Sequence, residues 1–333
     1  MRSRLGLLVV VCASCSVKDP PVSVTKTTEA AAMVQGVPVA PPLAPASHVS
    51  DPPGAVAVAS APAAPCEPYI GPRSFKKTIE RPEGKRSFEV RMPPSSASWP
   101  APVVVGMHGY GGNPLAFLNS SKLDEEASRR GFVTIAPYGY RNSFNGGDCC
   151  GNAKLDKIDD GAFVLAAVDE VAKMACVRTD HVNLTGFSNG GFMAQAIACQ
   201  HADRVGSIVS VGGMLGIDTC IPARPVSVLL VNGSGDPIIP VKGGGPYNNK
   251  SRAVTIDAWR KNDKCDEAKR TRIASHPAIM CERDTCEAGT HVDACLVPYA
   301  HAWTVRGHPD NSKGQIERTA REIFDFIVEH EKL

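Results

Sequence analysis

Between residues 74 and 93 the chain reads "SFKKTIERPEGKRSFEVRMP", with polar and apolar side chains alternating on both sides of a Pro-Glu-Gly turn. Period-two alternation around a turn of this kind predicts a β-hairpin. Further on, the alternation gives way to short runs that are apolar on every residue, each followed by a helix-like stretch. "PVVVGMHG" (102–109) precedes "LAFLNSSKLDEEASRRG", and "FVTIAPYG" (132–139) precedes a long loop and then "DDGAFVLAAVDEVAKMA" (159–175). "HVNLTGFS" (181–188) runs straight into "NGGFMAQAIACQH", "VGSIVSVGG" and "PVSVLLVNG" follow, and "ERTAREIFDFIVEHE" closes the chain as an amphipathic helix. Strands apolar on both faces and alternating with helices predict an α/β fold with a mostly parallel, doubly covered sheet. In such sheets ligands bind at the carboxyl ends of the strands.

The first fifth of the chain carries no such pattern. "MRSR", then "LGLLVVV", then "CASC" gives a basic segment, a short apolar segment and small residues before a cysteine, the layout of a signal peptide at residues 1–15. "ASC" ending at Cys15 resembles a bacterial lipobox, which implies diacylation of Cys15; plain secretion is the alternative, since Cys12 stands where a lipobox usually has leucine. Residues 16–65 are dominated by Pro, Ala, Val and Ser, and proline at this density favours extended, solvated chain, so they read as a tether. Residues 66–333 are long enough for one catalytic domain with a sizeable core. No apolar run reaches the roughly 18 residues that span a bilayer, so any membrane attachment would be through the lipid anchor. With 36 basic against 34 acidic side chains and no basic patch interleaved with aromatics, nucleic acid is not an expected partner.

Three short stretches stand at strand ends and carry chemistry. "GFSNG" (186–190) matches G-x-S-x-G between a strand and a helix, the turn that lifts a nucleophilic serine, here Ser188, above an α/β-hydrolase sheet. "HGYGG" (108–112) can aim backbone N–H groups at a developing oxyanion, and Tyr110 with Asn189 are the two candidate donors. His108 is expected to serve that turn as a hydrogen-bonding residue. "NGSGDPIIP" (232–240) offers Asp236 as the acid, with Asp218 as its competitor. The chain order Ser, acid, His then requires a histidine beyond Asp236. His276, His291, His301, His308 and His330 all qualify by order, and His301, after "ACLVPYA", is best placed.

Together "HGYGG", "CCGNA…DDGAF", "TGFSNGGFMA…AC", "NGSGDPIIPVKGG" and "HAW" resemble, in order, the exported α/β-hydrolase esterase family of polyhydroxybutyrate depolymerases and feruloyl or acetylxylan esterases, over about residues 74–333. The resemblance implies Ser188 as nucleophile, Asp236 as acid and His301 as base, with Trp303 of the His-x-Trp pattern in or beside the substrate pocket. It implies a serine carboxylic-ester hydrolase that works through an acyl-enzyme, needs no cofactor or metal, and acts on feruloyl or acetyl esters of plant polysaccharide. A poly(3-hydroxybutyrate) depolymerase, a peptidase with the same triad and a non-catalytic binding protein on the same fold are the alternatives. The residues before His301 and after Trp303 differ from the family's usual pattern, as does "NGSGD", which bears on substrate rather than on the triad. A monomer, secreted or held to the cell envelope as a lipoprotein, is expected.

Of the 12 cysteines, ten lie beyond Cys15, an even number that reads as a disulfide framework in an exported chain. The family's placement implies Cys265–Cys286, and the "AC…C" spacing ahead of the acid's strand points to Cys199–Cys220. Cys281–Cys295 and bridges from Cys149 or Cys150 to Cys66 and Cys176 remain. A rival reading takes Cys281, Cys286, His291 and Cys295 as a zinc knuckle.

Overall fold

Every residue of Val133–Pro137, Val205–Val211 and Ser227–Gly233 is buried, so these strands must be covered on both faces. The computed structural model describes residues 69–94, 97–273, 279–305 and 313–331. The expected signal peptide and tether, Cys15, Cys66, His276 and His308 lie outside the described residues. The strands are β1 (Ser74–Arg81), β2 (Gly84–Arg91), β3 (Ala101–Met107), β4 (Val133–Pro137), β5 (Val177–Phe187), β6 (Val205–Val211), β7 (Ser227–Gly233), β8 (Asp266–Arg272), β9 (Met280–Thr285) and β10 (His291–Val297). They form one sheet in the order β1-β2-β4-β3-β5-β6-β7-β10-β9-β8. The strands from β4 to β10 in that order pair in parallel, and an antiparallel pair flanks them at each edge. This is the open, mostly parallel sheet of the α/β-hydrolase fold.

Successive side chains of a strand point to opposite faces, and the core divides accordingly. Val103, Val105, Ile208, Val228 and Leu230 face a layer built with α4 (Asp160–Ala172), α5 (Asn189–Gln200) and α6 (Arg252–Asn262). Val104, Val209, Leu229 and Val231 face the opposite layer, built with α1 (Pro114–Ser121), α2 (Leu123–Arg129) and α7 (Lys313–His330). Side-chain oxygens of Asn113, Asp159 and Ser251 cap α1, α4 and α6, accepting from the N–H groups of Ala116, Ala162 and Val254. Among the described residues no helix is long and apolar enough to cross a membrane.

Three local expectations change. The helix read over 115–131 is broken at Lys122, whose φ of 55° ends α1 and opens α2. A short helix, α3 (Gly151–Leu155), stands in the loop after β4. The Cys-rich segment after α6, where the hydrophobic pattern predicted no strand, extends the sheet as β8 and β9, with "DEAKRTR" exposed or half-buried throughout. Disulfides join Cys199 to Cys220, Cys265 to Cys286 and Cys281 to Cys295, so those cysteines are not zinc ligands. Cys149 and Cys150 are bonded to each other rather than to Cys66 and Cys176, and Cys176 is itself disulfide-bonded. His291 Nδ1 meets His330 Nε2 at 2.8 Å, and the neighbouring Glu329 is held by Arg283.

One core carboxylate has a measurable consequence. Asp263 is fully buried at the end of α6; its Oδ1 accepts the Val226 N–H at 3.2 Å, and its Oδ2 has no partner among the described residues. Burial pushes its carboxyl from 3.8 up to about 7. Between those values the folded chain keeps a proton that the unfolded chain releases, so this group makes stability fall as pH rises through the window and stay low above it. Asp263→Asn keeps the Val226 acceptor and removes the charge. Urea titrations should find it more stable than the parent at pH 8, by up to about 4 kcal/mol, with the gap closing towards pH 4.

Candidate active site

At the junction of β5 and α5 the chain turns within Gly186–Gly190, and the space there admits no side chain at either glycine. A Cβ on Gly186 would lie 2.3 Å from the Gly190 carbonyl carbon, and one on Gly190 would lie 2.2 Å from the Met107 carbonyl oxygen. Ser188 between them has φ 54° and ψ −118°, a left-handed backbone that a non-glycine residue adopts only where its surroundings force it. Its N–H donates to the Val211 carbonyl at 2.8 Å, and its own carbonyl accepts from Gly191 and Phe192 at 2.8 and 3.0 Å. The serine is thus tied to the sheet on one side and to the first turn of α5 on the other.

The sheet register brings the remaining residues to the same edge. Met107 pairs with Gly186, Phe187 with Val211, Val211 with Val231 and Gly233 with Val297, so β3, β5, β6, β7 and β10 end nearly level. The loops after β7 and β10 are stitched together. Ser234 N–H donates to Val297, Gly235 N–H donates to Tyr299, and Gly233 packs so close that a Cβ would meet the Tyr299 and Ala300 carbonyls at 2.4 and 2.5 Å. That stitching brings His301 Nδ1 to 2.6 Å from Asp236 Oδ2. A carboxylate only accepts, so Nδ1 carries the proton. Asp236 Oδ1 accepts the N–H groups of Ile238 and Ile239 at 2.9 and 2.8 Å. Burial alone would raise this carboxyl, but the hydrogen bonds from His301 and Ile239 outweigh it and hold it below the ordinary value. Among the described residues Asp236 is the one hydrogen-bond partner of His301, which leaves Nε2 available. Asp218, the competing acid, is fully exposed and pairs with Lys250.

Behind the histidine the site is aromatic. Phe187 lies against the His301 ring at 4.8 Å, and a Cβ on Gly212 would meet that ring at 3.1 Å. Trp303, expected in or beside the pocket, packs edge-on against Phe117 at 5.1 Å and Phe187 at 6.3 Å, in the apolar layer that backs the histidine.

The "HGYGG" loop lies against the serine, and a Cβ on Gly109 would stand 3.5 Å from Ser188 Cβ. His108 braces this loop. Its Nε2 accepts the Gly139 N–H at 3.1 Å, so Nδ1 is the protonated nitrogen and donates to the Gly109 carbonyl at 2.8 Å. Burial depresses its pKa, which favours this neutral form. Tyr110 is half exposed. Among the described residues the N–H groups of Tyr110 and Asn189 have no backbone acceptor. Sequence reasoning missed the Phe187 contact, the Cys149–Cys150 bond and the partner of the Asn189 side chain. The Phe187–His301 and Asn189–Phe144 contacts link segments whose proximity no spacing in the chain encodes, and the bond between the adjacent cysteines is settled only by the folded loop.

The family described as alpha/beta hydrolase fold matches residues 102–227. NocK of Nocardia uniformis subsp. tsuyamanensis, an esterase by name, is 28% identical over 90% of this chain and 94% of its own. Feruloyl esterase B of Piromyces equi is 24% identical over 68% of this chain, which spans 42% of that protein. Among solved structures, an acetyl xylan esterase from Aspergillus awamori superposes with a TM-score of 0.53 at 13% identity, covering 76% of this chain and all but 1% of that one.

The close approaches at the turn give a paired prediction. Gly190→Ala drives a Cβ into the Met107 backbone and should lower stability by about 3 kcal/mol or more. Gly314→Ala, on α7 with nothing within 4 Å of its Cβ, should be neutral or slightly stabilising. Thermal unfolding followed by circular dichroism compares the two.

Proposed function

We propose that this chain, a carboxylic ester hydrolase with the α/β-hydrolase fold, uses Ser188, His301 and Asp236 as its triad and cleaves feruloyl or acetyl esters of plant polysaccharide. The observation that carries the triad is the 2.6 Å bond between His301 and Asp236 at the strand edge where Ser188 is lifted into its left-handed turn. The substrate class rests on the names of relatives, among them feruloyl esterases, and on the resemblance of the motifs.

His301 Nε2 takes the Ser188 hydroxyl proton as Oγ attacks the ester carbonyl, while Asp236 holds the ring in the Nδ1-protonated tautomer and stabilises the imidazolium that forms. The N–H groups of Tyr110 and Asn189 receive the oxyanion. Collapse of the tetrahedral intermediate expels the alcohol, which takes the proton from His301, and leaves Ser188 acylated. Water, deprotonated by His301, then attacks the acyl-enzyme and releases the acid. Export suits the several disulfides, which persist in oxidising compartments. The proposed route is a cleaved signal peptide and a Cys15 lipid anchor, with residues 16–65 as the tether.

Ser188→Ala and His301→Ala should each lower kcat by about 10⁴ or more, and Asp236→Asn by about 10⁴ through the wrong tautomer. Initial rates on a 4-nitrophenyl acyl ester check all three, and undiminished turnover by Ser188→Ala would remove the nucleophile assignment. A panel of feruloylated arabino-oligosaccharide, acetylated xylo-oligosaccharide and 3-hydroxybutyrate oligomer tests the substrate class. Preference for the hydroxybutyrate oligomer would overturn the polysaccharide reading and leave the triad standing.

A further inference from the structure

Immediately after the nucleophile, Asn189 turns its side chain away from the reacting centre into the core, where it is fully buried. Its Oδ1 accepts the Phe144 N–H at 2.7 Å, and its Nδ2 donates to the Phe144 carbonyl at 2.8 Å. One amide therefore satisfies both backbone groups of a residue 45 positions upstream, as a neighbouring strand would. The same Nδ2 lies 3.7 Å from Cys149 Sγ.

The segment so gripped is fixed along its length. Asn145 N–H donates to the buried Asp160 carboxylate at 2.8 Å, and Asp160 is in turn paired with Arg86 at 2.6 Å. Gly146 N–H closes on the Cys149 carbonyl, and Asp148 N–H donates to Gly216. A Cβ on Gly146 would strike Phe192, and one on Gly147 would strike the Gly216 carbonyl at 2.2 Å. Cys149 and Cys150, bonded to each other, are buried with Phe192, Met214 and Ile239, and the Ile239 N–H is one of the two that hold Asp236. The loop is therefore a brace with one end on the residue after the nucleophile and the other on the loop of the acid.

We propose that the Asn189 side chain is a positioning group for the oxyanion hole, fixing its own backbone N–H by clamping Phe144, with the Cys149–Cys150 pair as the apolar backing of that clamp. The inference rests on Ser188 being the nucleophile. Without the clamp the first turn of α5 keeps its helix but loses the contact that sets where its leading N–H points. An oxyanion donor acts through placement, and a displacement of about 1 Å is enough to forfeit roughly 10²-fold in rate.

The test compares wild type, Asn189→Ala, the double variant Cys149→Ala/Cys150→Ala, and Ser188→Ala. It measures kcat and KM on a 4-nitrophenyl ester and the inhibition constant of a trifluoromethyl ketone, whose adduct with a serine places an oxyanion in the hole. Asn189→Ala should lower kcat by about 30- to 100-fold with KM within about twofold, and should weaken the ketone by the same factor as kcat/KM. The double variant should show the same pattern at about tenfold. A kcat within about threefold of wild type, or a fall in kcat with the ketone's affinity intact, overturns the proposal. If Asn189→Ala does not fold, the double variant decides by the same criteria. Hydrolysis retained by Ser188→Ala would instead bring down the nucleophile reading on which the clamp depends, whereas a silent Ser188→Ala beside a fully active Asn189→Ala removes the clamp alone.

Discussion

The tight approach of backbone to backbone at Gly186–Gly190 is the constraint on which the site depends. β5 must become α5 with no room for a Cβ beside Met107 or within the turn, and the residue at the apex is pressed into a left-handed conformation. Such a turn is unfavourable in isolation and persists because the neighbouring strands over-determine it. Ser188 is held by Val211 from β6 and by the opening N–H groups of α5. The position of the Ser188 side chain is thus a property of the packed sheet rather than of a local motif.

The parallel register extends this control to the other groups. Because β3, β5, β6, β7 and β10 end nearly level, residues far apart in the chain arrive at one edge without a long reach from any of them. Each arriving loop is then held by bonds of its own. His108 spans two loops through both ring nitrogens, Asp236 is fixed by two N–H groups, and the chain before His301 is stitched to the end of β7. For the proposed triad this matters because an oriented imidazole and preplaced donors need little reorganisation when charge develops, usually the largest single contribution to rate in acyl transfer.

Much of this was legible in the sequence where physics leaves few choices. Wholly apolar strands alternating with helices specify a doubly covered parallel sheet, and G-x-S-x-G is a steric signature because only glycine fits its flanks. Asp236 and His301 were found by chain order and by family resemblance, and the structure brings their side chains together. β8 escaped notice because "DEAKRTR" lies at the sheet edge, where neither face is buried and no hydrophobic alternation is required. The helix break at Lys122 carries neither glycine nor proline to announce it. Adjacent cysteines suggested bridges to distant partners, whereas Cys149 and Cys150 bond to each other, a pairing that only the folded loop determines.

Asp236 and His301 stand at the ends of β7 and β10, which are immediate neighbours in the sheet although 65 residues separate the pair along the chain. Among the described residues between them, α6 and the β8–β9 pair leave this strand edge, and β10 returns the chain to it beside β7. The intervening segment is thus an excursion whose length does not enter the Asp236–His301 contact. Surface connections tolerate insertion and re-decoration far better than paired strands do, so this excursion can change in length and surface while the β7–β10 pairing keeps Asp236 and His301 together.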